Sequence, residues 1–423
     1  MKARWFFFVA AGAGMFSLAA ADWPQWRGPR RNGVSQETAL LKEWPKEGPK
    51  LLWQLKDVGD GYATPAVAGA RIYLLSNRGL DNEFVQALSV EDGKQLWATR
   101  LGNVGNPNQQ PPYPTARSTP TVDGELLYAF SSDGDLACVE TATGKVRWQK
   151  SLRNEFGGQP GTWAYAESPL IDGDVVVATP GGSQATMVAL NKKTGAVIWK
   201  SAVPGGDPAG YASATIVEAA GRKQYVQFLG KGVVGVDAKT GQFLWRYDQT
   251  SKGPANIPTV VAHDAYVYST ARSLGAAGLV RLKAAQEGVV AEQVYFERGL
   301  PSSIGGAVLV GDYLYGANAQ GLVAAEFTTG KVRWQAEGIG SGSVFYADGR
   351  LYLHGEDGDM ALVEATPEAY REKGRFTLPD QPKHVRGARE KAWAYPVVAN
   401  GRLYIRDLGT LWCYDVRDPK AAK

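Results

Sequence analysis

The chain has 423 residues, with 46 Lys and Arg, 42 Asp and Glu, and a formal net charge of +4 at pH 7. The charges are interspersed rather than gathered in blocks, which argues against a nucleic-acid partner or an anionic membrane surface. With 51 glycines and 13 tryptophans but only two cysteines, the composition favours short strands joined by glycine-rich turns. It is typical of an all-β protein.

The first 21 residues predict a secretory signal peptide. Lys2 and Arg4 give a positively charged start, residues 5–18 are almost wholly apolar, and residues 19–21 (Ala-Ala-Ala) offer a small-residue cleavage site. The apolar run is shorter than the ~20 residues of a membrane-spanning helix. No cysteine follows the cleavage site to carry a lipid. We therefore expect one mature domain over residues 22–423, periplasmic or secreted, with no integral membrane segment.

A Gly-x-x-x-Trp pattern recurs along the chain, with the glycine at a turn. It occurs five times in phase, at Gly93–Trp97, Gly144–Trp148, Gly195–Trp199, Gly241–Trp245 and Gly330–Trp334. Each copy follows a short apolar strand, which itself follows two strands split by a glycine-containing turn. Residues Ser118–Trp148 show the whole unit of four strands and three tight turns. This unit is one antiparallel blade of a β-propeller.

The remaining units complete a ring. Two degenerate units span residues 257 to about 295 and 343–376, the second with Phe in place of Trp, and a third stops near residue 416 after three strands. We expect Lys50–Trp53 to supply its fourth strand, because this segment looks like a fourth strand but no first three strands precede it. The sequence thus predicts an eight-bladed propeller of four-stranded antiparallel blades, closed by an N-terminal strand that hides the open edges.

The spacing of glycine and tryptophan has a physical reason. The fourth strand is the outermost of its blade, and a large flat side chain there covers the gap between blades, burying roughly 150–250 Å². The glycine four residues earlier supplies the positive φ of the turn into that strand.

The phrase A-L-x-x-x-T-G-x-x-x-W resembles the docking motif of the pyrroloquinoline-quinone (PQQ) repeat family, over nearly all of residues 53–416. The opening D-W-P-Q-W-R-G-P from Asp22 is similar to the start of many exported bacterial members. The resemblance implies two branches. Quinoprotein alcohol and sugar dehydrogenases hold PQQ and usually Ca²⁺ in a central funnel. Cofactor-free propellers include an outer-membrane assembly lipoprotein that binds a β-barrel assembly partner. The fold alone does not choose between them.

The dehydrogenases that this fold resembles typically stack PQQ on a disulfide of adjacent cysteines. This chain has only Cys138 and Cys413, at equivalent third-strand positions of different blades, where a small buried residue is expected. The three Asp-Gly-Asp sequences at 133–135, 172–174 and 357–359 are interpreted as hairpin turns rather than calcium ligands. His263, His354 and His384 are too few and too dispersed for a transition-metal cluster. No metal site is predicted.

The funnel supplies the remaining candidate site. Residues two positions before the start of each innermost strand are expected to form a ring of Ala63, Ser118, Glu167, Ala212, Asn256, Gly305, Ser343 and Tyr395. Glu167, Asn256 and Arg117 would face one cavity, and Trp163, Tyr165 and Trp393 would stack on a planar ligand such as PQQ or a sugar. The alternative is that Glu167 and Arg117 pair across the funnel without a ligand.

Three long connections, 102–117, 150–167 and 377–394, are expected to gather on this face. We therefore predict a monomeric, non-catalytic exported propeller without a cofactor, which binds a protein or carbohydrate partner through its looped face. The alternative is a PQQ-dependent oxidoreductase of alcohols or sugars, with Ca²⁺ and with Glu167 and Asn256 as cation or quinone contacts. A structural platform within an envelope assembly is a third reading. No catalytic base is identified.

Overall fold

The computed structural model describes residues 22–253, 255–286, 288–382 and 391–421. Within these ranges, 32 strands form eight four-stranded antiparallel sheets, one for each blade. The predicted fold is therefore confirmed. The only helices in the described ranges are α1 (Leu152–Phe156) and a 3₁₀ turn (Arg272–Leu274).

The strands of blades 1 to 4 follow each other along the chain. Blade 1 contains β2 (Ala66–Ala68), β3 (Arg71–Asn77), β4 (Glu83–Ser89) and β5 (Gln95–Gly102). Blade 2 contains β6 (Thr121–Asp123), β7 (Leu126–Phe130), β8 (Asp135–Glu140) and β9 (Val146–Ser151). Blade 3 contains β10 (Leu170–Asp172), β11 (Val175–Ala178), β12 (Met187–Asn191) and β13 (Val197–Ser201). Blade 4 contains β14 (Thr215–Ala219), β15 (Arg222–Leu229), β16 (Gly232–Asp237) and β17 (Phe243–Tyr247).

Blades 5 to 7 repeat this order and blade 8 does not. Blade 5 contains β18 (Val261–His263), β19 (Tyr266–Ala271), β20 (Ala276–Ala285) and β21 (Gly288–Arg298). Blade 6 contains β22 (Ala307–Val310), β23 (Tyr313–Asn318), β24 (Gly321–Glu326) and β25 (Val332–Ala336). Blade 7 contains β26 (Gly342–Ala347), β27 (Arg350–Gly355), β28 (Asp359–Glu364) and β29 (Glu372–Thr377). Blade 8 contains β30 (Val397–Ala399), β31 (Arg402–Asp407) and β32 (Thr410–Asp415), and its outermost strand is β1 (Lys50–Lys56).

The ring closes as predicted. β1 pairs antiparallel with β32, from Lys50 opposite Asp415 to Lys56 opposite Thr410. The outermost strand of the last blade therefore comes from the N-terminal side of the first. Separating blade 8 from blade 1 requires this ladder to break, so the closure ties the two ends of the chain together.

Neighbouring blades are joined through the repeated tryptophans. Trp97 Nε1 donates to the carbonyl oxygen of Thr141 in the next blade at 3.0 Å, and Trp148 repeats this bond to Lys192 at 2.9 Å. The same indole ring covers the turn glycine of the next blade. A Cβ added at Gly144, where φ is +74°, would lie 2.5 Å from the Trp97 ring. The pattern therefore fixes both the turn conformation and the spacing between blades.

The blade interiors are apolar and closely packed. In blade 2, Leu127 and Val139 are fully buried, and Cys138 lies opposite Tyr128 in the ladder. Cys138 and Cys413 are both buried free thiols. This agrees with the prediction that these positions need a small apolar side chain.

Candidate functional site

The centre of the ring is occupied by the N-terminal plug, which we define as residues 22–37. It contacts residues in or beside the innermost strands of six blades through hydrogen bonds of 2.5–3.1 Å: Trp23 with Val67, Pro24 with Val122, Arg31 with Ser168 and Pro169, Trp26 with Thr259, Arg27 with Ala307, and Ser35 with Tyr346. Because these partners surround the axis, the plug fills the channel.

Above the plug lies a cavity of about 530 Å³, which we call the funnel cavity. It is lined by Trp26, Tyr62, Tyr113, Arg117, Trp163, Ala166, Ser168, Tyr211, Ser213, Ala255, Ile257, Arg272, Ser273, Ile304, Trp393 and Tyr395. Seven of these 16 residues are aromatic, and none of the described lining residues is a carboxylate. The volume lies in the range of ~300–1,000 Å³ that is typical of small-molecule sites.

The aromatic side chains contact one another around the wall. The ring centroids of Tyr62 and Trp393 are 4.9 Å apart, and Tyr113 meets Trp393 edge-on at 5.1 Å. At the floor, Trp26 meets Tyr395 edge-on at 4.7 Å. These are ordinary separations for interacting aromatic pairs, so the rings support each other while lining the cavity.

The ring predicted from the sequence is displaced by one residue in most blades. In six blades the cavity is lined by the residue immediately before the predicted one: Tyr62, Arg117, Ala166, Tyr211, Ala255 and Ile304. Only Tyr395, in blade 8, lines the cavity as predicted. Successive side chains of an extended segment point in opposite directions. An error of one position therefore turns nearly the whole ring away from the axis.

Three of the six candidate residues, Arg117, Trp163 and Trp393, line the funnel cavity. Arg117 donates through Nη2 to Gln109 Oε1 at 2.8 Å and also to the carbonyl oxygen of Tyr113. Its guanidinium lies over the Tyr62 ring, 5.7 Å from the centroid. Burial lowers the pKa of Arg117, and the Arg117 Nε has no hydrogen-bond partner within the described residues.

Glu167 and Asn256 do not line the cavity, which corrects the predicted orientation. Glu167 is 2 % exposed and accepts hydrogen bonds from the Thr179 amide and Gln227 Nε2, at 2.8 and 3.3 Å. Asn256 Nδ2 donates to the carbonyl oxygen of Leu229 at 2.7 Å. Both side chains therefore connect neighbouring blades. Glu167 links blade 3 to blade 4, and Asn256 links blade 5 to blade 4.

Tyr165 is also directed away from the cavity. Its ring contacts Phe130 at a centroid distance of 5.1 Å, and its hydroxyl donates to the carbonyl oxygen of Pro180 at 2.8 Å. The predicted pairing of Glu167 with Arg117 is replaced by an electrostatic interaction of Glu167 with Arg31. Burial raises the pKa of Glu167 to about 8, although Arg31 opposes that shift.

The plug brings two further buried arginines to the axis, which sequence reasoning did not select. Arg27 and Arg31 are 3 % and 4 % exposed. Arg27 donates to the carbonyl oxygens of Asn32 and Ala307, and burial lowers its pKa. Burial also lowers the pKa of Arg31 to about 10. The sequence feature that could have indicated them is the D-W-P-Q-W-R-G-P opening, but the repeat pattern does not place this opening in the fold.

The Asp-Gly-Asp sequences lie at turns, and two of them have ionic partners elsewhere in the ring. Asp133 pairs with Arg153 at 2.6 Å, and Asp172 pairs with Lys223 at 2.6 Å. Among the described residues there is no group of three or more His, Cys, Asp or Glu side chains that could hold a metal ion. His384 lies outside the described residues.

Two of the long connections meet at the rim of the cavity. Trp163, in the connection 150–167, donates through Nε1 to the carbonyl oxygen of Pro111, in the connection 102–117, at 3.2 Å. We define the loop face as the end of the ring at which these connections surround the funnel cavity. They gather on one face, as the sequence predicts.

The third long connection, 377–394, is described only in part, because residues 383–390 lie outside the described ranges. Its end reaches the loop face, where Trp393 contacts Tyr113. The described end of this connection therefore contributes to the same cavity wall as the other two.

Fold and site together define a class of protein: an eight-bladed propeller with an N-terminal plug and an aromatic cavity on one face. The chain belongs to the PQQ-like repeat family, because a family profile described as outer membrane protein assembly factor BamB matches residues 31–162 and 81–336. Within the described part of the chain, neither helix has the length or apolar character that a membrane crossing requires.

The relatives belong to both branches of the family. Outer membrane protein assembly factor BamB of Shewanella oneidensis is 24 % identical over 231 residues, which is 54 % of this chain and 53 % of that protein. Quinoprotein alcohol dehydrogenase PedH of Pseudomonas putida is 26 % identical over 192 residues, covering 44 % of this chain and 29 % of that protein. The matched region spans about half the length of the first relative and less of the second.

Solved structures agree on the fold. The crystal structure of BamB from Moraxella catarrhalis superposes with a TM-score of 0.59 at 15 % identity, covering 87 % of this chain and 97 % of that one. Quinohemoprotein alcohol dehydrogenase from Comamonas testosteroni gives a TM-score of 0.52 at 13 % identity, covering 94 % and 81 %. At these identities the likeness concerns the fold alone.

Proposed function

We propose that this protein is an exported, non-catalytic propeller that binds a protein or carbohydrate partner through its loop face. The funnel cavity carries the proposal: seven aromatic residues and Arg117 surround about 530 Å³ that is closed below by Trp26. Aromatic side chains supply contact area with few rotatable bonds, which favours recognition. The described lining offers no carboxylate or histidine to act as a general base.

The relatives support the same reading. Several curated relatives are named as outer membrane protein assembly factors, so their name refers to the assembly of other proteins. Export is supported by the predicted signal peptide, whose expected cleavage site lies immediately before Asp22, where the plug begins.

The second candidate function is a PQQ-dependent oxidoreductase. A half-buried arginine among aromatic rings would suit an anionic planar cofactor, and one relative is a quinoprotein dehydrogenase. The residues do not fit the metal that would accompany it. Glu167 and Asn256 are turned into contacts between blades, and Cys138 and Cys413 lie in different blades. No described residue of the cavity wall offers a carboxylate oxygen for Ca²⁺.

Site-specific photo-cross-linking in the native host tests where the partner binds. The cross-linking amino acid is placed at Leu80, an exposed residue in a shallow groove with Asn106 and Thr162 on the loop face. The matched control is Val197, which is equally exposed on the outermost strand of blade 3. For a protein partner, we expect cross-linked adducts from the loop-face variant only. For a carbohydrate partner, we expect the protein to be retained on a glycan array, and modification at the loop-face position alone to block that retention. Adducts from Val197 alone would contradict the proposal.

Adding PQQ and Ca²⁺ to the purified protein tests the second candidate. Tryptophan fluorescence reports binding, because Trp26, Trp163 and Trp393 line the cavity. Dye reduction with alcohols and aldoses reports turnover. We expect no turnover, and PQQ-dependent dye reduction would establish the oxidoreductase instead.

A further inference from the structure

We propose that the funnel cavity selects a saccharide residue that carries a carboxylate, such as a hexuronic acid. This inference rests on the proposed function and names the ligand chemistry of the same site. It follows from the charges around the cavity, from the unused hydrogen-bonding capacity of Arg117, and from the polar groups set among the aromatic rings.

Arginines lie at the axis of the propeller without close carboxylate partners, although the half-buried Arg117 interacts electrostatically with the buried Glu83 at longer range. Arg117 in the cavity wall and Arg27 below the floor bond to carbonyl and amide oxygens, and within the described residues neither is within ion-pair distance of a carboxylate. Glu167 interacts electrostatically with Arg31, and burial raises the pKa of this carboxyl to about 8. A cleft with charges of one sign and low-dielectric walls attracts ligands of the opposite sign.

The other cation of the wall is already neutralised. Arg272 forms an ion pair with Glu356, whose side chain is buried, with 2.5 Å between Nη1 and Oε1. Arg117 is therefore the cationic side chain of the described wall that is left for an anionic ligand.

The Arg117 guanidinium has hydrogen-bond donors that no described protein group uses. Its Nη2 makes two hydrogen bonds, to Gln109 and to the Tyr113 carbonyl, which hold the guanidinium in place. Its Nε also lacks a partner within the described residues but is buried, so Nη1, which none of these hydrogen bonds uses, is the donor left for a ligand. A guanidinium held by its own loop is preorganised, and its planar fork matches a carboxylate. The chemistry of this group thus selects a carboxylate rather than a hydroxyl.

The rest of the wall suits a sugar ring better than a flat aromatic cofactor. Ser168 Oγ accepts from the Thr119 amide and Ser213 Oγ accepts from the Ser168 amide, both at 2.9 Å. Each of these hydroxyls has a proton left to donate. The Tyr211 hydroxyl accepts from the Trp163 amide at 3.0 Å and keeps its own proton as well. Hydroxyl donors among aromatic faces complement a ring with an apolar face and a polar rim.

The experiment compares acidic and neutral forms of one ligand. Binding of tri-galacturonate to the mature protein is followed by tryptophan fluorescence and calorimetry, with the trimethyl ester as the neutral form of the same size. We expect the acid to bind at least about tenfold more tightly than the ester, because a charge-assisted hydrogen bond is lost. We also expect the difference to shrink with added salt, as screening requires.

Variants assign the selectivity to Arg117. Arg117→Gln should reduce acid binding to the level of the ester, whereas Arg153→Gln, on the loop face but outside the cavity wall, should not. The comparison of acid and ester on the unaltered protein remains decisive if Arg117→Gln fails to fold. Equal binding of acid and ester, or binding of PQQ or an acidic peptide instead, would overturn the inference and leave loop-face binding intact. Absence of both a loop-face adduct and glycan retention would overturn the proposed function itself.

Discussion

The indole nitrogen of Trp26 donates a 2.9 Å hydrogen bond to Thr259 Oγ1, which joins the N-terminal plug to blade 5 across 233 positions of sequence. Trp26 also lines the floor of the funnel cavity. The same segment that fills the channel therefore shapes the site. We therefore expect ligand binding in the cavity to depend on the seating of the plug, because a displaced plug would remove the cavity floor.

Trp23→Ala should destabilise the protein by about 3–5 kcal/mol, the usual cost of truncating a buried tryptophan. Trp23 is 2 % exposed and contacts Phe345 with 4.7 Å between ring centroids. The control is Leu96→Ala, at a residue that is 50 % exposed, which should change the free energy of unfolding by less than about 0.5 kcal/mol. Urea denaturation compares them. Equal midpoints for the two variants would mean that the plug does not stabilise the ring.

Gly144→Ala should cost clearly more stability than Gly124→Ala, although both glycines have positive φ, of +74° and +60°. At Gly124 a Cβ meets nothing within 4 Å, so only the left-handed backbone is penalised, by about 1–2 kcal/mol. At Gly144 the Cβ would lie 2.5 Å from the Trp97 ring. The new methyl must therefore also push the blades apart. Thermal unfolding of both variants measures the difference, and equal losses would exclude this role in blade contact.

The fold could be predicted because its signal is local and repeated. Each Gly-x-x-x-Trp turn fixes one blade, and Lys50–Trp53 supplied the strand that blade 8 lacked. The site was harder, because it depends on which side chains face the axis. The predicted ring of cavity-lining residues was one residue off in six blades. Arg117, next to the predicted Ser118, lines the cavity, whereas Glu167 was predicted to face the cavity and does not. The plug is joined to the blades by contacts between residues far apart in the sequence, which no periodicity reports.

Glu83→Gln should remove a pH-dependent loss of stability. Glu83 is fully buried and accepts from the Ser132 amide at 3.0 Å, and burial raises its pKa from 4.5 to about 7. Between these values the folded state holds the proton more tightly than the unfolded state. The stabilisation from the protonated carboxyl is therefore complete below about pH 4.5 and lost as the pH rises through 7.

The measurement for Glu83→Gln is the free energy of unfolding of both proteins from pH 5 to pH 9. The wild type should lose up to about 3 kcal/mol relative to the variant over this range, from a pKa shift of this size. Glu167 titrates in both proteins, so its contribution cancels in the difference. Parallel pH profiles of the two proteins would show that burial does not raise the pKa of Glu83.

Arg406→Met should weaken the junction between blade 8 and blade 1. The Arg406 guanidinium is fully buried and donates to five acceptors on both sides of the junction: the carbonyl oxygens of Gly59, Ala63, Leu75 and Leu408, and Ser76 Oγ. Methionine fills much of the volume but leaves these oxygens unsatisfied, each at a cost of ~1–3 kcal/mol. We expect a total loss of at least about 3 kcal/mol.

The matched control is Arg417→Met, which follows β32 and removes an exposed ion pair with Asp415, worth at most about 1 kcal/mol. Denaturation midpoints give the global loss, and hydrogen exchange locates it. Because Arg406 bonds to the segment that leads from β1 into β2, protection should fall first in these strands and persist in β16, on the opposite side of the ring. A uniform loss of protection would show that the ring unfolds as one unit and has no weak junction at Arg406.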